Sequence, residues 1–402
     1  MWDVKPLVEV TDLITCGVAK RPDYVENGVP FLSAKNVKNG EVVWEGFKFI
    51  TQEMHESLTK KNKPIRGDIL YTRVGSFGEA AIVETDDEFS VFVSLTLIKP
   101  KHSILNNKFL KYYLNSSEVK ARAANSLSGS GVGNLNVGTV RKFPVPFPSL
   151  PEQKRIVAIL DEAFAGIDQA IAHTEQNIQN ARELFESTLN NIFTQKGEGW
   201  ITEPLNQNVH FIDYRGKTPP KVEEGIRLIT AKNVKMGYVQ NHPEEFIDET
   251  VYDDWMTRGF PAEGDILFTT EAPLGNVAQL GTYSRVIIGQ RLITMQPKEG
   301  LIDKRFLKYR IMSPHTQGEI HSKATGATVL GIKSKLLKLI PISYPSIDEQ
   351  IHIADLLDEA THNRGKLEAL YTQKLTALKE LKQSLLQKAF AGELTAEDRQ
   401  AA

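Results

Sequence analysis

The sequence predicts an α+β chain: two tandem mixed α/β globular domains, separated and joined by two long antiparallel coiled-coil helices, with a pseudo-two-fold internal repeat. Three observations predict it. The chain repeats itself at a fixed offset, each copy ends in a capped heptad pattern, and acidic and basic residues divide between the globular and helical parts. With 402 residues, 41% hydrophobic and 24% charged, the composition is that of an ordinary folded chain long enough for two or three domains. A single cysteine, Cys16, excludes a disulfide framework or a thiolate zinc site. No apolar run reaches the roughly 18 residues that cross a bilayer, so no membrane partner is expected and the cytoplasm is the expected compartment.

The repeat is read directly. Ala34-Lys35-Asn36-Val37-Lys38 recurs as Ala231-Lys232-Asn233-Val234-Lys235, an offset of 197 residues that then holds without a gap. It carries Gly67-Asp68-Ile69-Leu70 onto Gly264-Asp265-Ile266-Leu267, and Phe109-Leu110-Lys111-Tyr112 onto Phe306-Leu307-Lys308-Tyr309. Leu160-Asp161-Glu162-Ala163 falls on Leu357-Asp358-Glu359-Ala360 in the same way.

The first globular copy, residues 1–147, alternates short β-rich runs such as Asp68 to Thr72 and Val91 to Ile98 with amphipathic stretches such as Asn107 to Ala124. The central helix, 148–196, opens at Ser149-Leu150-Pro151-Glu152, a capping box with proline in the first turn. Behind it, Val157, Leu160, Phe164, Ile167, Ile171, Ile178, Ala181, Phe185 and Ile192 share one heptad register, over a length of roughly 65 Å at ~1.5 Å per residue. The second globular copy spans 197–344. The second helix, 345–392, opens at Ser346-Ile347-Asp348-Glu349, carries Ile353, Leu357, Ala360, Leu367, Tyr371, Leu378, Leu381 and Leu385, and ends where Gly392 is placed as a C-cap. A tail, 393–402, follows.

The net charge of −2 hides a segregation. Lys plus Arg outnumber Asp plus Glu by 19 to 16 in 1–147 and 18 to 17 in 197–344, whereas the helical segments are net negative. Between Lys304 and Lys338 the sole acid is Glu319, against Lys304, Arg305, Lys308, Arg310, Lys323, Lys333, Lys335 and Lys338. The equivalent stretch of the first copy sets Lys108, Lys111, Lys120, Arg122 and Arg141 against Glu118, and the coincidence favours contact with a polyanion. No catalytic pattern emerges. Gly326 to Ser334 misses the phosphate-loop spacing by one residue, the nine His form no metal motif, and the Asn/Asp-Pro-Pro-aromatic tetrapeptide of amino-directed DNA methyltransferases is absent.

Taken together, Gly216-Lys217-Thr218-Pro219, the Leu32 to Val37 and Ile229 to Val234 runs, both Gly-Asp-Ile-Leu runs, and the helix starts at Pro148 to Gln153 and Pro345 to Gln350 resemble the specificity subunit of type I restriction-modification systems. The resemblance implies a noncatalytic reader of double-stranded DNA. Each globular copy would be a target recognition domain for half of a bipartite, asymmetric sequence, and the helices would be spacer and docking platform. Two methyltransferase and two restriction subunits are implied as partners, with S-adenosylmethionine, ATP and Mg ions on those partners and no cofactor in this chain. The alternatives are a standalone DNA-modifying enzyme with an unrecognised motif and a coiled-coil scaffold for another polyanion.

The repeat also sorts residues by role. Residues identical in both copies cannot tell two half-sites apart, so Lys35, Asn36, Lys38, Lys232, Asn233 and Lys235 are expected to be fold elements or phosphate contacts, joined by Lys20, Lys217, Lys333 and Lys335. After the shared Gly-Asp-Ile-Leu, Thr72-Arg73-Val74-Gly75-Ser76 is replaced by Thr269-Thr270-Glu271-Ala272-Pro273. Arg73, Ser76, Thr270 and Glu271 are therefore the base-reading candidates, Arg suiting guanine O6 and N7 and Glu the cytosine amino group.

Overall fold

The structure, a computed structural model, describes residues 2–19, 21–127, 133–214 and 220–395. Contacts gather the chain into two compact units, Met1–Thr174 with Gln373–Ala402, and Glu175–Thr372. Each unit holds one globular copy, the first part of that copy's own long helix and the last part of the other. These units cut both long helices near their middles, where the sequence segments placed boundaries at helix ends. The reason is packing: each globular copy buries apolar side chains from two helix segments.

In the first unit, β1 (Thr11–Cys16), β2 (Ile69–Thr72), β3 (Ala80–Ile82) and β4 (Leu95–Pro100) form an antiparallel sheet in the order β1-β4-β2-β3. All four residues of β2 are buried, as expected of a strand covered on both faces. A smaller sheet sets Val29–Leu32 between Lys48–Ile50 and Ser90–Val91. Helix α1 (Asn107–Leu114), capped by the Asn106 side chain, packs on the larger sheet, and the long helix α2 (Leu150–Thr194) follows. In the second unit β5 (Val209–Ile212), β6 (Ile266–Thr269), β7 (Val277–Gln279) and β8 (Leu292–Pro297) repeat the order as β5-β8-β6-β7. Helix α3 (Lys304–Met312) repeats α1, and α4 (Ile347–Ala391) is the second long helix.

The start of each long helix is fastened by a glutamine. Gln153 is fully buried, accepts from Asn106 N (2.8 Å) and donates to Ile104 O and Pro148 O. Gln350 does the same with Asp303 N, Leu301 O and Pro345 O. The expected serine cap is present at the second start, where Ser346 Oγ accepts from Glu349 N. Gly392, at φ +81°, ends α4.

Within each unit the two helix segments run antiparallel. In the first, Glu152 meets Thr395 and Asp168 meets Lys382; in the second, Arg182 meets Glu368 and Trp200 Nε1 donates to Glu349. The heptad pattern is modified toward the helix ends. Leu189, Phe193, Leu386 and Ala389 are buried there, while Leu367 and Leu381 are 42% and 46% exposed. The last turns lie on a globular copy, and the buried stripe follows that surface: Phe193 packs edge-to-face with Phe306, and Phe390 with Phe109 and Tyr113.

Candidate nucleic-acid interface

The loop that leaves the buried strand of each copy carries different side chains on the same backbone anchors. Thr72 closes its base with three bonds, donating N–H to Glu79 O, accepting from Gly78 N at its carbonyl and from Glu79 N at Oγ1. Thr269 makes the equivalent bonds with Asn276 and Gly275. A second loop lies against the first: Arg73 N donates to Ser94 O and Thr270 N to Arg291 O. A third is tied on by Leu135 N to Arg73 O and Ile332 N to Thr270 O. In the first copy Ser94 Oγ also accepts from Ala34 N, which brings the Ala34–Asn36 turn to the same cluster.

Arg73 was the expected guanine reader, and the structure turns it inward. It is 8% exposed, and its guanidinium donates to Leu135 O, Val93 O and Asn134 Oδ1, each at 2.9 Å. These bonds use three of the five guanidinium N–H donors, and Arg73 is a cross-link between loops, not the exposed side chain that the sequence suggested. Thr270 is buried as well, its hydroxyl bound to Arg291 O, and is corrected likewise. Ser76 is exposed at its loop tip. Glu271 is partly exposed and ion-paired with Arg291, Nε to Oε1 at 3.0 Å.

The asparagines are corrected to the first of their two expected roles. Asn36 accepts from Ser33 N and donates to Val43 O and Glu45 O; Asn233 accepts from Thr230 and donates to Gln240 O and Pro243 O. Both are buried with their amides committed to backbone. They instead hold the turn that presents Lys35 and Lys232, which are exposed, as is Lys38; Lys235 is half-buried. Lys333 and Lys335 are exposed beside the third loop. Lys20 and Lys217 lie outside the described residues, as does the rest of Gly216-Lys217-Thr218-Pro219.

The basic stretches are corrected also. Arg305 pairs with Asp355 and Asp358, Lys308 with Asp358, Lys304 with Asp265 and Lys323 with Glu319, while Arg310 and Lys338 lie over Phe193 and Phe211. In the first copy Lys108 pairs with Asp161, Lys120 with Glu79 and Arg122 with Glu118. Arg305, Lys308 and Lys108 fasten the domain to its acidic helix, the other ion pairs lie within the globular copy, and of the Lys304 to Lys338 set only Lys333 and Lys335 are exposed. Burial lowers the pKa of Lys111 and Lys308 and pushes the Arg310 guanidinium down to about 10.

Arg291 escaped the sequence analysis. The signal was available, because Arg291 stands opposite Ser94 at the repeat offset and the two differ as sharply as Arg73 and Thr270 do. With Thr270, Glu271, Gln290, Thr325 and Lys333 it lines a cavity of about 350 Å³.

Comparisons with known proteins agree on one family. The model of the type I restriction modification DNA specificity domain matches residues 1–180 and 257–377. The EcoKI specificity subunit of Escherichia coli K12 is 22% identical over 98% of this chain and 90% of its own length. The MjaVIII specificity subunit of Methanocaldococcus jannaschii is 24% identical over 89% and 85%. Among solved structures, one described as the basis of complex assembly and conformational transition of a type I R-M system aligns with TM-score 0.75 at 20% identity, over 98% of both chains. The HsdS subunit of Thermoanaerobacter tengcongensis aligns with TM-score 0.53 at 19% identity, over 98% of this chain and 97% of its own.

Proposed function

The chain belongs to the type I restriction modification DNA specificity family, and from that premise we propose that it is the noncatalytic DNA-reading subunit of such a complex. Each globular copy reads one half of a bipartite, asymmetric target in double-stranded DNA. The long helices are spacer and docking platform for two methyltransferase subunits, which two restriction subunits join. S-adenosylmethionine, ATP and Mg ions belong to those partners, and the complex works in the cytoplasm.

One observation carries this. The same three-loop scaffold is built twice on the same strand order, yet its exposed side chains differ between copies, which is what two unlike half-sites require. Exposed Lys35, Lys38 and Lys232 on the shared turns suit phosphate contacts that fix register without reading sequence. The docking role is supported by leucines left exposed on the helices, Leu184 at 69% and Leu370 at 58% among them.

The test is to produce the chain with its methyltransferase subunits and map the methylated sites across a genome. Two different half-sites separated by a fixed gap are expected. Methylation or cleavage by the purified chain alone overturns the noncatalytic assignment in favour of an enzyme. Failure of the chain, alone or in the complex, to protect any defined bases leaves a scaffold.

A further inference from the structure

Arg291 combines three features. Its φ is +66°, in the left-handed region that a bulky non-glycine residue rarely enters. Its carbonyl is held from inside by two donors of Thr270, N at 2.8 Å and Oγ1 at 3.2 Å. Its side chain is nevertheless 55% exposed and stands beside Glu271 at the mouth of the cavity.

The first copy shows what the position does without this conformation. Ser94 keeps the same carbonyl anchor, accepting from Arg73 N, but it is buried and its hydroxyl binds Ala34 N within the domain. With the carbonyl fixed inward in both copies, the positive φ of Arg291 accompanies a side chain directed out. Strained backbone persists where the surroundings over-determine it, and it concentrates at functional positions. Glu271 completes the arrangement. Its carboxylate lies 3.0 Å from Nε as an ion pair, and the two Nη groups, for which the structure gives no partner among the described residues, remain as a fork of donors. Such a fork matches two acceptors side by side, and in the major groove guanine O6 and N7 present that pair.

We propose that Arg291, ion-paired with Glu271, is a specificity-determining residue of the second globular copy and takes the major-groove edge of a guanine. This rests on the reading of that copy as a DNA-recognition domain. Glu271 is thereby a positioning residue rather than the cytosine reader the sequence suggested. Gln290, exposed beside it, and Lys333 across the cavity lie where a neighbouring base or phosphate would pass.

The experiment uses the full chain assembled with its methyltransferase subunits and reads the methylated motif and its relative rates. Arg291→Gly removes the fork while relieving the left-handed backbone, so loss of folding does not confound it. Arg291→Lys keeps the charge without the fork. Both should relax preference for guanine at one position of one half-site by about 10- to 100-fold, leaving the other half-site as it was. Glu271→Ala should relax the same position by less. An unchanged motif in Arg291→Gly overturns the assignment while leaving the DNA-reading function intact. A uniform loss across all sequences with a flatter salt dependence also overturns it, since that marks a phosphate contact. A wild-type complex with no defined motif takes down the functional reading itself.

Discussion

The two globular copies set the same backbone anchors and fill them with different side chains. At the loop cluster the first copy places its long cation, Arg73, inside as a cross-link and a small serine opposite; the second places a small threonine inside and its long cation, Arg291, outside. At the helix junction Tyr113 and Arg310 occupy equivalent positions. Tyr113 is buried, donates to Pro144 O and packs edge-to-face with Phe390, while Arg310 is buried over Phe193 and donates to Ser313 Oγ. A duplicated fold thus tolerates exchange of side chains wherever the backbone hydrogen bonds are kept, and that tolerance lets one scaffold carry two surfaces.

What neither copy exchanges should be costly to remove from either. Gln153→Ala and Gln350→Ala each leave a buried proline carbonyl, a part-buried N–H and a carbonyl of an exposed residue without their partner, an expected loss of about 2 to 3 kcal/mol. Denaturant unfolding of the full chain checks it, with similar losses from either substitution. A large loss from one and a negligible loss from the other would break the equivalence of the two junctions.

The exchanged junction position gives the next effect. Moving the second copy's residue into the first, Tyr113→Arg, puts a cation where Phe109 and Phe390 now pack, at a cost of about 3 kcal/mol. The reverse, Arg310→Tyr, removes a buried cation that has no carboxylate partner among the described residues and restores a hydroxyl within the repeat's reach of Pro341 O; it should stabilise by about 1 kcal/mol. Unfolding midpoints of both variants decide. A loss from Arg310→Tyr would mean the arginine contributes more through its contact with Phe193 than it loses by burial.

These contrasts also mark what the sequence made legible. The duplication was visible because identical residues recur at one offset, and the helix starts because capping and proline chemistry are local. Gly392 was legible for the same reason. Gln153 and Gln350 are legible as part of a motif but not as clamps, since two of the three partners of each lie 47 and 49 residues back in the chain. Charge misled for a related reason: the basic residues of one segment and the acids of the next were counted apart, while folding brings Arg305 onto Asp358 and Lys108 onto Asp161. Arg73 and Arg291 carry the same side chain in neighbouring loops of equivalent domains. Only the backbone conformation at Arg291, and the partners around Arg73, separate an outward arginine from an inward one.

The smallest expected effect concerns these acid anchors. Burial pushes the Asp161 carboxyl up, but hydrogen bonds from Lys108 and Tyr112 and the charges of Lys108 and Lys111 outweigh it and hold the group below its ordinary value of 3.8. Asp358 is lowered in the same way, burial being outweighed by the Tyr309 hydroxyl, Lys308 and Arg305. In both, the folded carboxyl binds its proton less readily than the unfolded one. Their contribution is therefore complete above pH ~4 and is lost as pH falls through the lower, folded value. Both side chains are more than a third exposed, so solvent screens the pairs and each is worth under about 1 kcal/mol. Unfolding midpoints measured from pH 7 down to pH 3 should hold and then drop, and Asp161→Asn or Asp358→Asn should flatten part of the drop while lowering the plateau slightly. Asp358 takes Arg305, Lys308 and Tyr309 where Asp161 takes Lys108 and Tyr112, so its substitution should flatten more. Equal flattening would show that the direct contact of Lys308 with Asp358 contributes nothing beyond the charge that Lys111 already places near Asp161.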